Sequence, residues 1–178
     1  MRGSWFTSSR SLELRPRQGV NCFARNLSDM EKRPRVRVAV VVVHEGKILL
    51  VEHTKEDRNY WLLPGGGLEW GEGLKEALSR EVAEETGLEV EVGDLLFVSE
   101  TLAPGGKRHV VHLVFQGVLR GGEIKVPQEE RITDVGWIPL ERIEELTLHP
   151  PMQQALNSYR LEGLVNKERV FLGNLWVD

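Results

Sequence analysis

Apolar residues recur along this chain with two periods, and the switch between them marks the elements. Val36 to Val43 is a β-branched run bounded by polar residues, which predicts a buried strand. His44-Glu45-Gly46-Lys47 supplies a turn, with Gly46 as its permissive residue. Ile48 to Glu52 then returns as the second strand of a hairpin. Tyr60 to Leu63 reads as a short strand stopped by Pro64-Gly65-Gly66-Gly67. Beyond it the period changes to that of a helix. Leu74, Ala77, Leu78 and Val82 fall on one face across Gly73 to Thr86, and Gly87 stands where a helix would end in a left-handed turn. Val90 to Glu100 and Val110 to Leu119 are strand-like, and Gly121-Gly122 leads to a short strand around Ile124. Val135 to Ile138 is a further strand, while Pro139 to Leu146 and Gln153 to Leu161 carry helical patterns. Mixed strands with two or three helices predict an α/β (α+β) domain built in layers.

Composition narrows the picture. The 178 residues suffice for one domain and a tail. A single cysteine, Cys22, excludes an intrachain disulfide and a cysteine zinc site. The longest apolar run, Val38 to Val43, is too short to span a bilayer. Residues 1–33 differ from the rest: they are rich in Arg and Ser and lack clean periodicity. They read as a disordered or misassigned N-terminal extension. A transit peptide, a stretch added upstream of a true start at Met30, and a functional arm all fit it. Residues 34–178 form the expected domain, and a cytoplasmic protein is expected. Seven of the Lys/Arg residues but only three of the Asp/Glu residues lie in 1–33, which leaves 16 against 24 in the domain. An acidic domain argues against DNA as a partner. If it handles phosphates, it needs cations to mediate.

The chemistry concentrates between Gly66 and Leu88. Glu81, Glu84 and Glu85 stand at i, i+3 and i+4, so a helix projects them from one face. By themselves they read first as a solvated acidic surface. Two neighbours change that balance. The opposite helix face is apolar, which fixes the carboxylates against a core. A glycine-rich loop, Pro64 to Gly67, enters just before the helix and allows close backbone approach to a ligand. Hard divalent cations such as Mg2+ take carboxylate oxygens together with substrate phosphates.

Gly66, Glu72, Arg80, Glu81, Val82, Glu84, Glu85, Gly87 and Leu88 match every fixed position of G-x5-E-x7-R-E-U-x-E-E-x-G-U, where U is a bulky aliphatic. This segment resembles the Nudix box. A chance match in a chain of this length is on the order of one in ten million. The run Trp61 to Gly66 and the later Trp137-Ile138-Pro139-Leu140 are also similar to the family, so the resemblance covers about residues 35–147. It is of the MutT-like Nudix hydrolases, and in style of their ADP-ribose pyrophosphatase-like group.

The resemblance implies a mixed sheet sandwiched between helices and a hydrolase of phosphorus anhydrides. Glu81, Glu84 and Glu85 would hold Mg2+, with Mn2+ able to substitute, and the carbonyl of Gly65 or Gly66 would add a ligand. Arg80 and Glu72 would form an ion pair that orients the ligand helix. A further catalytic acid would come from the loop before the late Trp, where Glu129 and Glu130 stand; they fit equally as solvated charges.

Selectivity must come from the loops. Lys55 and Arg58, before Trp61, are candidates for a phosphate or ribose, although ordinary surface cations look the same. Lys107, Arg108 and His109 form a second basic cluster. Tyr60 and Trp70 are candidates to stack on a base, and Trp61 reads as core. The histidines His44, His53, His112 and His149 follow no metal-ligand spacing. The expected partner is a small nucleotide, with no DNA and no membrane. The apolar C-terminal segment Val170 to Trp176 reads as a packing element or a homodimer interface. ADP-ribose or a related nucleotide sugar leads as substrate. The alternatives are a (deoxy)nucleoside triphosphate and, in another class, a non-catalytic nucleotide sensor.

Overall fold

The computed structural model describes residues 33–128, 131–162 and 170–176. Seven strands, two α-helices and two short 3-10 segments follow the order β1 (Arg35–His44), β2 (Lys47–Lys55), β3 (Arg58–Leu62), α1 (Leu74–Thr86), β4 (Leu88–Leu102), Pro104–Gly106, β5 (His109–Gly122), β6 (Ile132–Pro139), Leu140–Glu145, α2 (Gln153–Glu162) and β7 (Phe171–Asn174). The sheet order is β3-β2-β1-β5-β4-β7, with β6 added against β2. The pairing is mixed: β1 runs parallel to β5 and β4 parallel to β7, and the remaining neighbours are antiparallel.

Strand β1 explains the layering. Val38 to Val42 are all buried, so both faces of the strand are covered. Val38, Val40 and Val42 pack with Ala77, Leu78 and Val82 of α1. Ala39 and Val41 point the other way, into a cluster with Ile143, Leu148 and Leu156. The alternation of a strand therefore feeds two separate cores. Strand β2 does the same, with Leu49 and Val51 in the first cluster and Ile48 and Leu50 in the second.

Helix α1 is bounded as its sequence predicts. The Gly73 amide donates to the Glu76 carboxylate at 3.0 Å, and Gly87 ends the helix at φ 72° with its amide on the Ala83 carbonyl. A side chain at Gly87 would lie 2.6 Å from the Glu123 carbonyl oxygen, so glycine is needed there for space as well as for φ.

Four expectations change. Leu74 is largely exposed and lies outside the helix's buried stripe. Residues 123–128 form no strand, so Ile124 belongs to a connection pinned by the Lys125 amide on the Thr86 carbonyl at 2.9 Å. Leu140–Glu145 is a 3-10 segment rather than an α-helix, closed by the Leu146 amide on Ile143. Lys55 and Arg58 are not in a loop; they face each other across the last rung of the β2–β3 ladder. Between them Glu56 and Asp57 both take positive φ in a two-residue turn, whose twist suits a hairpin. The C-terminal apolar segment behaves as a packing element: β7 lies along β4, and Leu172 and Leu175 pack on the second core. Among the described residues no helix is long and apolar enough to cross a membrane.

Candidate active site

The site is assembled where the glycine loop meets the C-terminal half of α1. The loop is zipped to the start of β1: the amides of Val38 and Val40 donate to the carbonyls of Gly66 and Pro64, each at 3.0 Å, and the Leu68 amide donates to Val36 at 3.1 Å. That leaves little slack, and two glycines absorb it in opposite directions. Gly65 has φ 138°, and a Cβ there would lie 2.2 Å from the Val38 carbonyl oxygen. A Cβ on Gly66 would instead lie 2.1 Å from the Glu81 carboxylate. The missing side chain of Gly66 is thus the space that the Glu81 carboxylate fills.

Glu85 completes the junction. Its Oε2 accepts the Gly65 amide at 2.8 Å, and the residue is only 9% exposed. A buried carboxylate needs such a donor. Its Oε1 lies 4.0 Å from His53 Nε2. Burial, then the positive charges of Arg37 and Arg131, lower the His53 pKa, so this histidine is neutral near pH 7. Its Nε2 is buried without a hydrogen-bond partner among the described residues.

Arg80 gathers the remaining acids. Its Nε and Nη2 take both oxygens of Glu72 at 2.9 and 3.1 Å, while Nη1 reaches Glu81 at 3.0 Å and Glu84 at 3.1 Å. The fork on Glu72 is bidentate, the strongest geometry for this pair. The hydrogen bond from Arg80 holds the Glu72 carboxyl below the usual carboxylate range, and Glu72 in turn raises the Arg80 guanidinium. Glu84 is the most exposed of the three helix acids, with a side chain 57% accessible.

Of the other expected residues, Tyr60 lies beside this junction on β3, edge-on to the His149 ring with centroids 4.7 Å apart. Trp61 packs against the second core, as expected. Lys55 sits on the exposed surface beside Glu56 at 3.7 Å, and Trp70 is fully exposed. His109 pairs with Glu100 at 3.2 Å. Glu129 and Glu130 lie outside the described residues. The Gly66 carbonyl is engaged by Val38, which turns it toward β1.

A group of residues that no sequence motif joined into a site lines a cleft next to the junction. Arg37, Trp61, Leu63, His112, His149 and Met152 form much of its wall. Arg37 donates through Nη2 to the Leu63 carbonyl at 3.2 Å. His112 Nε2 is 3.1 Å from Thr101 Oγ1. Burial, then Arg37 and Arg108, push the His112 pKa down to about 4. Burial, then Arg108, lower His149 as well. The one sequence sign of this cleft is Arg37, the second of two cations that alternate with valine at the head of β1.

The chain belongs to the Nudix family: the NUDIX domain matches residues 33–159. It is accordingly a pyrophosphohydrolase acting on phosphorus anhydrides. It is 35% identical over 99 residues to an ADP-ribose pyrophosphatase of Methanocaldococcus jannaschii, a match covering 55% of this chain and 59% of that enzyme. The chain thus spans less than two thirds of that relative's length. It is 32% identical over 146 residues to the nucleoside triphosphatase NudI of Escherichia coli, covering 75% of this chain and 99% of that protein. The fold is similar to that of a NUDIX hydrolase from Nitrosomonas europaea, with a TM-score of 0.65, 24% identity and coverage of 74% and 91% of the two chains.

Nudix hydrolases generally need divalent metal ions. Among the described residues no three acids or histidines already converge as a metal cage. The reason is visible: Arg80 holds Glu81 and Glu84, and the Gly65 amide holds Glu85. The donor set nonetheless fits a hard cation. Three carboxylates share one helix end, and the glycine at position 66 leaves the cradle in which the Glu81 carboxylate lodges.

Proposed function

We propose that this protein hydrolyses the diphosphate bond of a nucleoside diphosphate joined to another moiety, with ADP-ribose or a related nucleotide sugar as the leading substrate. The observation that carries this reading is the lodging of the Glu81 and Glu85 carboxylates against Gly66 and Gly65. It places acids from a rigid helix beside backbone that can lie close to phosphate oxygens. Glu81, Glu84 and Glu85 would hold Mg2+, or Mn2+ in its place. Bound there, the cation neutralises phosphate oxygens and lowers the pKa of water.

The protein's own residues do the rest. Arg80, braced by Glu72, keeps Glu81 and Glu84 aligned and screens their mutual repulsion. The Gly65 amide fixes the buried Glu85. A carboxylate so placed accepts a proton from the attacking water, and phosphoryl transfer then depends chiefly on alignment and charge stabilisation. With ADP-ribose the products are AMP and ribose 5-phosphate. Glu130 remains a candidate for the additional acid. Residues 34–178 serve as the whole catalytic domain in this reading.

A second reading, hydrolysis of a (deoxy)nucleoside triphosphate to a monophosphate and pyrophosphate, is favoured by the match along nearly all of NudI. Turnover of purified protein in Mg2+ buffer, resolved by product, separates the two. AMP and ribose phosphate from ADP-ribose support the first. Pyrophosphate released from a triphosphate, with ADP-ribose untouched, replaces it by the second. Silence on nucleotide sugars, dinucleotide polyphosphates and triphosphates alike rejects both.

A further inference from the structure

The cleft beside the carboxylates has an unusual wall. Among the described residues its lining holds one permanent cation, Arg37, and no Asp or Glu, although the chain as a whole has a net charge of -4. His112 and His149, which share the wall, are held neutral near pH 7 by burial. Arg37 makes a single hydrogen bond and no ion pair within 4 Å among the described residues. A guanidinium carries five N–H donors in a rigid fork. One carbonyl satisfies only one of them. Burial acts most strongly on the Arg37 guanidinium and lowers its pKa; the carboxylates of Glu85 and Glu81 pull it back up through space, and the positive Arg108 adds to the lowering. Arg37 therefore stands between the acid platform and the cleft, on the β1 face that also presents Ala39 to the same cleft.

We propose that Arg37 is a substrate-binding residue that grips a phosphoryl oxygen of the nucleotide where the diphosphate passes from the carboxylate platform into the cleft. This inference rests on the nucleoside diphosphate reading above. Planar, bidentate recognition of phosphate is what arginine does better than lysine. His149 and Trp61 line the same wall, and the neutral imidazoles there add no charge. The competing role is mechanical: through Leu63, Arg37 ties β1 to the residue that enters the glycine loop.

Two variants separate these roles. Arg37→Gln keeps an N–H for the Leu63 carbonyl and removes the charge; Arg37→Lys keeps the charge and loses the fork. Calorimetric titration in Mg2+ buffer compares AMP with adenosine, which lacks the phosphate. Arg37→Gln is expected to weaken AMP at least tenfold, in line with a hydrogen bond to a charged group, and to leave adenosine within about twofold. Arg37→Lys falls between that variant and the unaltered protein. Three results overturn the proposal: AMP affinity unchanged in Arg37→Gln, AMP and adenosine weakened in parallel, or an unaltered protein that binds neither. Turnover of nucleotide sugars and triphosphates by the unaltered protein is measured in parallel. Its absence sinks the functional reading, whereas intact turnover beside any of those three results sinks the Arg37 assignment alone.

Discussion

The two faces of β1 carry different work. Val38, Val40 and Val42 meet α1 through close apolar packing, and the acids of that helix are bonded to the loop or to Arg80. Arg37 and Ala39 open instead onto a cleft with two neutral histidines and a tryptophan. One face is crowded, and each of its three helix acids has a bonded partner. The other leaves polar groups with donors to spare. Chemistry that needs fixed geometry sits on the first, and the unused guanidinium donors of Arg37 sit on the second.

The largest expected effect breaks the first face alone. Glu84→Gln or Glu85→Gln removes a charge and little volume, so turnover is expected to fall by about two to four orders of magnitude. The melting temperature stays within a few degrees, since the carboxamide oxygen introduced by Glu85→Gln still accepts the Gly65 amide. Near-normal kcat at saturating Mg2+ in either variant ends the ligand assignment.

The paired glycines sharpen the same contrast. A methyl at Gly65 runs into the Val38 backbone, whereas a methyl at Gly66 runs into the tip of the Glu81 side chain. Backbone cannot step aside cheaply and a carboxylate can. Gly65→Ala is therefore expected to cost about 3 kcal/mol of stability by denaturant titration. Gly66→Ala is expected to cost about 1 kcal/mol or less and to lower turnover about a hundredfold by displacing Glu81. Equal stability losses in the two variants contradict this division.

The third test belongs to the cleft face. His112 is pushed down to about 4 in the folded protein, against about 6.5 in an unfolded chain. The unfolded state binds the extra proton between those values, so stability falls as pH drops through that window and levels off below it. Between pH 7 and 5 the loss from this group is about 2 kcal/mol. Burial is the main cause, followed by the charges of Arg37 and Arg108. Denaturation of His112→Gln at both pH values should recover most of that difference; an unchanged difference assigns the acid sensitivity elsewhere.

The smallest effect is none. The family match begins at residue 33, and removal of residues 1–32 is expected to leave kcat within twofold and the melting temperature unshifted. A large loss of turnover makes that segment part of the site.

The contrast between the faces also governs what could be read in advance. Helix α1 and its acids lie within one stretch, so the spacing of Glu81, Glu84 and Glu85 was legible there, and the resemblance to the Nudix box added Arg80. Val38 to Val42 announced a strand covered on both sides. The cleft is different: Arg37, Trp61, His112 and His149 come from β1, β3, β5 and the segment before α2, and no local pattern joins them. Strand pairing brings them together. The placement of Lys55 and Arg58 in a loop failed for a local reason: the two-residue turn between them lets both pair at the end of the β2–β3 ladder. Ile124 misled because the chain after Gly121-Gly122 is held by the Lys125 amide on the Thr86 carbonyl and not by pairing with a strand.

Arg80 has one more consequence. By touching Glu72, Glu81 and Glu84 together, it acts as a built-in counter-ion for an acidic helix end. The helix is then electrostatically tolerable before any metal arrives, and loading becomes an exchange of one positive partner for another. Folding and metal uptake are thereby uncoupled: EDTA is expected to abolish turnover and leave the unfolding midpoint nearly where it was.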